Sequence, residues 1–157
     1  MASSKISFRP VTIDDCAVIL HHRRGMFRDM GTGTADELDR MVELATTWLQ
    51  RALAEGAYQG ILAESENGRV VAGGGVFLHS WSPRPGDDND RRPVIVNVFT
   101  EPEFRKKGLA RQVMSLIIQS LREQGFRSVV LHASDEGRPL YESMGFVPTN
   151  EMRLCLE

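Results

Sequence analysis

Hydrophobic and polar residues alternate near the start of the chain and then recur at helical spacing. The segment 6–11, ISFRPV, has the period of two that is typical of a β-strand. Thr12 is followed three residues later by Asp15, and the segment 34–37, TADE, repeats this capping-box pattern. The pattern therefore predicts one strand followed by two helices, the second of which ends at Gly56.

Three further strands are predicted in the middle of the chain. The segments 58–65 and 69–81 flank an Asn-Gly dipeptide, which is a strong signal for a tight hairpin turn. The consecutive glycines 73–75 predict a bulge or the close passage of another group. The segment 94–100, VIVNVFT, is almost continuously apolar, and we expect it to be a central strand covered on both faces.

The last third of the chain returns to alternating helices and strands. An apolar stripe at helical spacing begins at Leu109 and ends at Gly125. The segment 128–134 predicts a strand and the segment 137–144 a short helix, after which a turn leads into a last strand that ends with MRLCLE. The predicted order is β-α-α-β-β-β-α-β-α-β, with antiparallel strands first and a right-handed parallel crossover later. This is a mixed α/β fold.

Composition is that of an ordinary soluble protein. The 157 residues are enough for one hydrophobic core, so residues 1–157 are predicted to form a single domain. The chain has 19 basic and 21 acidic side chains and a formal net charge of −2. General binding to nucleic acid or to a membrane is therefore not expected, and any anion site must be local.

Cysteine content and the N-terminal sequence favour a cytoplasmic location. Cys16 and Cys155 are too few for a disulfide framework and lack the spacing of metal ligands, so they are interpreted as free thiols and no metal site is expected. The N-terminal sequence has no apolar core of a signal peptide, and no apolar run approaches the roughly 20 residues that span a bilayer.

A basic loop precedes the helix that begins near Leu109. Pro102 cannot lie within a central strand, so the strand ends before it, and the segment 105–107, RKK, leads directly to Gly108. Gly108 and Ala110 are small enough for a ligand to approach the first helical turn, whose unpaired N–H groups attract anions. The loop is therefore predicted to bind phosphate, most simply a pyrophosphate. A solvated basic loop that caps an ordinary helix is the alternative.

Sequence motifs distinguish between kinds of phosphate site. The chain contains neither a P-loop, G-x-x-x-x-G-K-S/T, nor a dinucleotide motif, G-x-G-x-x-G. Its strand–TEPEFRKKGLA–helix arrangement resembles the GNAT superfamily of acyl-CoA-dependent N-acetyltransferases, whose signature is Q/R-x-x-G-x-G/A. Arg105, Gly108 and Ala110 occupy the defined positions. A second element, SDEGRPLYESMGF, matches the family pattern N-x-x-A/G-x-x-L-Y-x-x-x-G-F except at Ser134.

The resemblance implies a GNAT-like mixed central sheet in which acetyl-CoA, the co-substrate, lies between two splayed parallel strands around Val98 and Leu131. It implies that backbone groups near Val98 bind the pantetheine arm and that N–H groups of residues 105–111 bind the pyrophosphate. Because the family often has Asn at the position of Ser134, we expect weaker cofactor binding there. The cofactor residues implied in this way are Val98, Phe99, Thr100, Arg105, Lys106, Lys107, Gly108, Leu109, Ala110, Arg111, Ser134 and Arg138.

The resemblance also implies direct transfer of the acetyl group to an amine, without an acyl-enzyme. Tyr141 matches the family tyrosine that protonates the departing sulfur, and a backbone N–H near Val98 would stabilise the oxyanion. The alternative for Tyr141 is an aromatic residue packed on the core. Glu101, His79 and His132 are candidate bases that are equally typical of structural residues, and a chain of water molecules is a further option.

The acceptor amine stays open at this stage, from small molecules to peptides. The segment 21–33 could shape a pocket for a small amine that also carries an acid group, although it is equally typical of the end of an amphipathic helix. Two other functions compete with the enzyme, a non-catalytic acyl-CoA-binding regulatory module and a nucleotide-binding domain. The terminal strands could also pair across the interface of a homodimer. The pocket residues considered are Arg23, Arg24, Met26, Phe27 and Met30.

Overall fold

A five-stranded sheet organises the computed structural model, which describes residues 5–156. The strands lie in chain order from β1 to β5; neighbouring strands are antiparallel except β4 and β5, which are parallel. The predicted mixed α/β class and parallel crossover are thereby confirmed. The elements are β1 (Ile6–Pro10), a 3₁₀ turn (Ile13–Asp15), α1 (Cys16–Asp29), α2 (Ala35–Ala54), β2 (Tyr58–Ser65), β3 (Val70–Ser80), β4 (Arg91–Thr100), a second 3₁₀ turn (Pro102–Phe104), α3 (Leu109–Glu123), β5 (Val130–Leu131) and α4 (Arg138–Ser143).

Capping side chains begin the first helices as predicted. The Thr34 backbone N–H donates to the Glu37 carboxylate over 2.7 Å, and the Thr34 hydroxyl accepts from the Glu37 backbone N–H, which completes a capping box at α2. Thr12 and Asp15 form the same arrangement in the turn before α1. These local bonds satisfy N–H groups that have no partner inside the helix.

Two apolar clusters hold helices against opposite faces of the sheet. On one face, α3 buries Val113, Met114 and Ile117 against β2, β3 and β4. On the other face, α1 and α2 bury residues such as Ile19 and Leu49. The stripe predicted for α3 is thus the contact that holds the crossover helix on the sheet.

The glycine-rich part of β3 faces an extra residue in β4. Gly73 pairs with Phe99 and Gly75 with Val96, so β4 contains one more residue than β3 over this stretch. A Cβ atom at Gly75 would lie 2.0 Å from the Tyr58 hydroxyl oxygen, which leaves room only for glycine. The predicted bulge and close approach are both present, and the bulge lies on the partner strand rather than on β3.

The parallel strands β4 and β5 pair over a short distance and then separate. Val94 pairs with Val130 and Ile95 with Leu131, whereas β4 continues unpaired on this side to Thr100. The separation confirms the predicted splayed strands and leaves an opening between them.

The C-terminal part of the chain differs from the prediction. Strand β5 is shorter than the predicted segment 128–134, and the last strand is not formed, because residues 147–156 have no regular secondary structure. Met152, Leu154 and Leu156 are 94%, 81% and 89% exposed. The alternation of these apolar residues with polar ones favours a strand, but a strand forms only where a neighbouring strand provides hydrogen-bond partners. Within residues 5–156, no strand lies beside this segment. Glu157 is outside the described residues.

Candidate active site

A cleft of about 390 Å³ lies where β4 and β5 separate, bounded by α1, α3 and α4. Two of the residues that were predicted to bind the cofactor, Lys107 and Arg138, do not line this cleft. Helix α1 contributes Met26 and Asp29, and Met30 follows its last residue; of these three, Asp29 was not predicted. Most of the predicted site residues line the cleft, namely Val98, Phe99, Thr100, Arg105, Lys106, Gly108, Leu109, Ala110, Arg111, Ser134 and Tyr141.

The N-terminus of α3 is open toward the cleft. Gly108 caps the helix in the left-handed conformation, with φ of 77°, and no side chain caps this end. A Cβ atom added to Gly108 would meet no atom within 4 Å, so the space beside it is unfilled. Because the first N–H groups of a helix lack internal partners and carry positive dipole character, this end can accept an anion.

The Arg105 guanidinium holds the loop in place. It donates to the Thr100 carbonyl oxygen over 2.9 Å and forms an ion pair of 2.6 Å with the Asp29 carboxylate. It also lies 5.4 Å from the centre of the Phe99 ring. The guanidinium therefore connects the loop to the end of β4 and to α1, which is a positioning role that the sequence motif alone did not reveal.

Tyr141 and Ser134 lie on the wall formed by α4. The Ser134 hydroxyl oxygen accepts a hydrogen bond of 3.1 Å from the Gly137 N–H, so Ser134 shapes the start of α4. The Tyr141 ring packs edge-on against Phe146, with 5.9 Å between ring centres. Burial raises the pKa of Tyr141, which keeps its hydroxyl protonated at neutral pH.

Asn97 is a structural feature that sequence reasoning missed. Its φ of 56° places it in the left-handed region at the β4 bulge, and its side chain is buried. The Asn97 side-chain oxygen accepts a hydrogen bond of 2.9 Å from Arg23, and the side-chain nitrogen donates one of 3.0 Å to the Tyr58 hydroxyl. Asn within an otherwise apolar strand was the available signal, because Asn tolerates the left-handed region better than most residues.

None of the candidate bases lines the cleft. The Glu101 carboxylate pairs with the His21 ring over 2.6 Å. His79 packs edge-on against Phe77, and burial together with the nearby Arg92 lowers its pKa. His132 lies 3.5 Å from Glu151 near the C-terminus. The geometry therefore assigns no titratable side chain of this group to the reacting amine.

The described part of the chain has neither a membrane-spanning helix nor a cluster of metal ligands. Within residues 5–156, no helix combines the length and apolarity needed to cross a bilayer. The same residues contain no cluster of three or more His, Cys, Asp or Glu side chains arranged to hold a metal ion. Cys16 is buried and Cys155 exposed, and both are free thiols.

The sequence matches the Acetyltransferase (GNAT) family over residues 19–146. The chain therefore belongs to the GNAT acetyltransferase family, whose co-substrate is acetyl-CoA, and the resemblance seen in the motifs is confirmed. It is 29% identical over 118 residues to glucosamine 6-phosphate N-acetyltransferase of Trypanosoma brucei brucei, covering 73% of this chain and 76% of that protein. It is also 30% identical over 78 residues to human N-acetyltransferase 8, of which it spans only 34%; the match covers 46% of this chain.

Solved structures give the same assignment of the fold. A GCN5-related N-acetyltransferase from Ralstonia eutropha JMP134 superimposes with a TM-score of 0.89 and 35% identity, over 97% of this chain and 99% of that one. A protein from Clostridium acetobutylicum described as a predicted acetyltransferase, solved with acetyl-CoA, superimposes with a TM-score of 0.85 and 23% identity, over 97% and 96% of the two chains.

Proposed function

We propose that this protein transfers the acetyl group of acetyl-CoA directly to an amine of a small molecule or peptide, and that residues 1–157 act as one domain. The observation that carries the proposal is the cleft in which the open N-terminus of α3 and the protonated Tyr141 lie together beside the separated strands. The similarity to N-acetyltransferases over most of the chain supports the same activity.

In this proposal the diphosphate of acetyl-CoA binds at the start of α3. The N–H groups of residues 109–111 point along the helix axis and have no intrahelical acceptor, so they can donate to phosphate oxygens. Lys106 and Lys107 add positive charge to the loop, while Arg105 holds it in place. The pantetheine arm would bind those backbone groups of the Val98, Phe99 and Thr100 stretch that point away from β3, where β5 no longer pairs with β4. Ser134 lies on the opposite wall, and Arg138 would contribute only from outside the cleft lining.

The chemistry requires one bond to form and one to break. The lone pair of the neutral amine attacks the thioester carbonyl carbon, and the resulting oxyanion accepts a hydrogen bond from the Val98 N–H. The carbon–sulfur bond then breaks, Tyr141 donates its proton to the departing thiolate, and the amine nitrogen loses a proton to water. With ordinary pKa values of about 10 for the phenol and about 8.5 for the thiol, this proton transfer is uphill by about 2 kcal/mol. The products are an N-acetylated amine and CoA.

Release of CoA from acetyl-CoA, measured in the presence of a panel of amines, tests the activity, and calorimetry with acetyl-CoA tests the cofactor site. We expect binding together with amine-dependent release of thiol and a mass gain of one acetyl group on the amine. Tight binding of acetyl-CoA without any amine-dependent release would instead support the regulatory module. Stabilisation of the fold by ATP rather than by CoA would support a nucleotide-binding domain.

We further propose that the protein is cytoplasmic and forms a homodimer. The free thiols are compatible with a reducing compartment. The outer edge of β5 has no strand beside it within residues 5–156, and the alternating apolar side chains of Met152, Leu154 and Leu156 are exposed. Pairing of this segment with a second copy would bury both. Sedimentation should show a dimer that is lost on deletion of residues 152–157, and a monomer at high concentration would refute the pairing.

A further inference from the structure

A second groove, of about 710 Å³, lies along α2 and has an apolar wall. Met41, Leu44, Ala45 and Trp48 form this wall, because positions i, i+3, i+4 and i+7 share one face of a helix. Leu44 is 61% exposed and Trp48 is 46% exposed, although both side chains are large and apolar. Trp48 is held from behind by the Phe77 ring, with 5.0 Å between ring centres. An exposed apolar surface with a polar rim is typical of a binding site.

Arg23 is the half-buried cation of this groove. Its guanidinium donates to the Asn97 side-chain oxygen over 2.9 Å and lies 5.0 Å from the centre of the Phe27 ring. No carboxylate of residues 5–156 lies within 4.0 Å of it, whereas the neighbouring Arg24 pairs with Asp39 over 2.9 Å. Burial lowers the pKa of Arg23.

A partly buried guanidinium without an acidic partner can be stabilised by a bound anion. The planar guanidinium has five N–H donors, and only one bond to a protein acceptor is formed by Arg23 within the described residues. The remaining donors match the two oxygens of a carboxylate in a bidentate arrangement. Arg23 therefore has the chemistry to bind an acid group that enters the groove.

Arg23 connects the groove with residues that lie next to the acetyl-CoA cleft. Arg23 lines the groove, and Met26, three residues later on the same face of α1, lines the cleft. Arg23 also contacts Asn97, whose Cα atom lies about 3.8 Å from that of Val98, the proposed oxyanion donor. An acid group bound to Arg23 would thus place an amine a few bonds away near the thioester carbon.

We infer that the acceptor is a hydrophobic α-amino acid, or another amine that carries both an acid group and an apolar side chain. Its carboxylate binds Arg23, and its side chain packs on Met41, Leu44 and Trp48. The inference rests on the proposed function and names the substrate class of that site. The charged side chains of Asp36, Glu37 and Arg40 also line the groove, so a sugar phosphate is disfavoured only where its hydroxyl groups would lie against the apolar wall.

The test compares free amino acids with their amides, which keep the amine and the side chain but lack the acid. We expect the ratio of kcat/KM for phenylalanine to that for phenylalaninamide to fall by at least about 10-fold in Arg23→Gln, since a hydrogen bond to a charged group is lost. Arg24→Gln is the matched control, because Arg24 lies outside the groove, and it should keep the wild-type ratio. Comparing ratios between variants at one pH cancels the different amine pKa values of acid and amide.

An unchanged ratio in Arg23→Gln, or an equal fall in Arg24→Gln, would overturn the inference. If Arg23→Gln does not fold, the wild type provides the test: 3-phenylpropanoate should inhibit acetylation at lower concentration than 3-phenylpropanamide, and equal inhibition would count against Arg23. Preferred acetylation of glucosamine 6-phosphate over phenylalanine would also overturn it while leaving the proposed function intact. Absence of acetylation of every amine would defeat both.

Two tryptophan variants test whether the apolar wall of the groove contacts the acceptor. Trp48→Ala should lower kcat/KM for phenylalanine several-fold more than that for glycine, because only phenylalanine has a side chain that reaches the wall. Trp81→Ala is the matched control, since Trp81 is 50% exposed and does not line the groove. Equal effects of Trp48→Ala on both substrates would remove the wall from the acceptor site.

Discussion

Asn97 donates a hydrogen bond of 3.0 Å to the hydroxyl of Tyr58, a residue 39 positions earlier in the chain. The bond joins the β4 bulge to β2 across β3, where only glycine leaves space for the Tyr58 ring. It thereby anchors a residue in the left-handed region immediately before Val98. The geometry of the proposed oxyanion donor consequently depends on a tyrosine that belongs to a different strand, β2.

Removal of the Tyr58 hydroxyl should lower both stability and turnover. Tyr58→Phe leaves the buried Asn97 amide without an acceptor, which should cost about 1–3 kcal/mol of unfolding free energy. Burial raises the pKa of Tyr58 to about 12, so the hydroxyl is neutral and the effect should not depend on pH between 6 and 9. Urea denaturation and steady-state kinetics measure the two effects. A fully stable Tyr58→Phe with wild-type turnover would show that the bulge does not need this bond.

Removal of the Tyr141 hydroxyl should lower turnover strongly and unfolding free energy only slightly. Tyr141→Phe should lower kcat by about 10²-fold or more, the usual size of a lost general acid, with little change in acetyl-CoA affinity. Its hydroxyl donates to no acceptor within residues 5–156, so unfolding free energy should change by less than in Tyr58→Phe. Calorimetry with acetyl-CoA and urea denaturation provide the comparison. Wild-type turnover in Tyr141→Phe would exclude it as the acid.

Sequence patterns predicted the parts of this protein that depend on local contacts. The helix caps at Thr12 and Thr34, the apolar stripe of α3 and the loop before Gly108 are each defined by residues close together in the chain. The predicted splaying came from the resemblance to GNAT proteins, and the strand pairing confirms it.

Features that depend on distant residues were not predictable in the same way. Three such features result from how separate elements pack, namely the bond between Asn97 and Tyr58, the ion pair between Arg105 and Asp29, and the absence within residues 5–156 of an ion pair to Arg23. The last strand was mispredicted for the related reason that alternation alone does not provide a partner strand. Sequence pattern therefore located the cleft that we propose for acetyl-CoA, whereas the groove proposed for the acceptor could be found only from the structure.

The glycine that begins α3 should affect cofactor binding more than stability. Gly108→Ala places a Cβ atom in the space proposed for the diphosphate and should weaken acetyl-CoA binding by about 10-fold or more. The left-handed φ of 77° should cost about 1 kcal/mol of unfolding free energy. Gly86→Ala is a matched control, because Gly86 has a φ of 82° and also meets no atom within 4 Å. It should lose similar stability but bind acetyl-CoA normally, and normal binding by Gly108→Ala would move the diphosphate elsewhere.

His22 should make the fold sensitive to acid. Its side chain is 1% exposed, and its Nε2 atom has no hydrogen-bond partner within residues 5–156. Burial and the adjacent His21 lower its pKa to about 4, against the opposing effect of Glu101, whereas an unfolded histidine titrates near 6.5. The unfolded chain therefore binds an additional proton between these values. Stability from His22 is complete above pH 6.5 and is lost as pH falls toward 4, by up to about 3 kcal/mol.

Urea denaturation at pH 7, 6, 5 and 4.5 measures this loss in the wild type and in two variants. His22→Gln cannot titrate in this range, so its unfolding free energy should fall less steeply with acid than that of the wild type, whatever its value at pH 7. His132→Gln is the matched control, because it removes an exposed histidine rather than a buried one. Parallel slopes for the wild type and His22→Gln would mean that His22 binds its proton equally well in the folded and the unfolded chain, which would contradict the prediction.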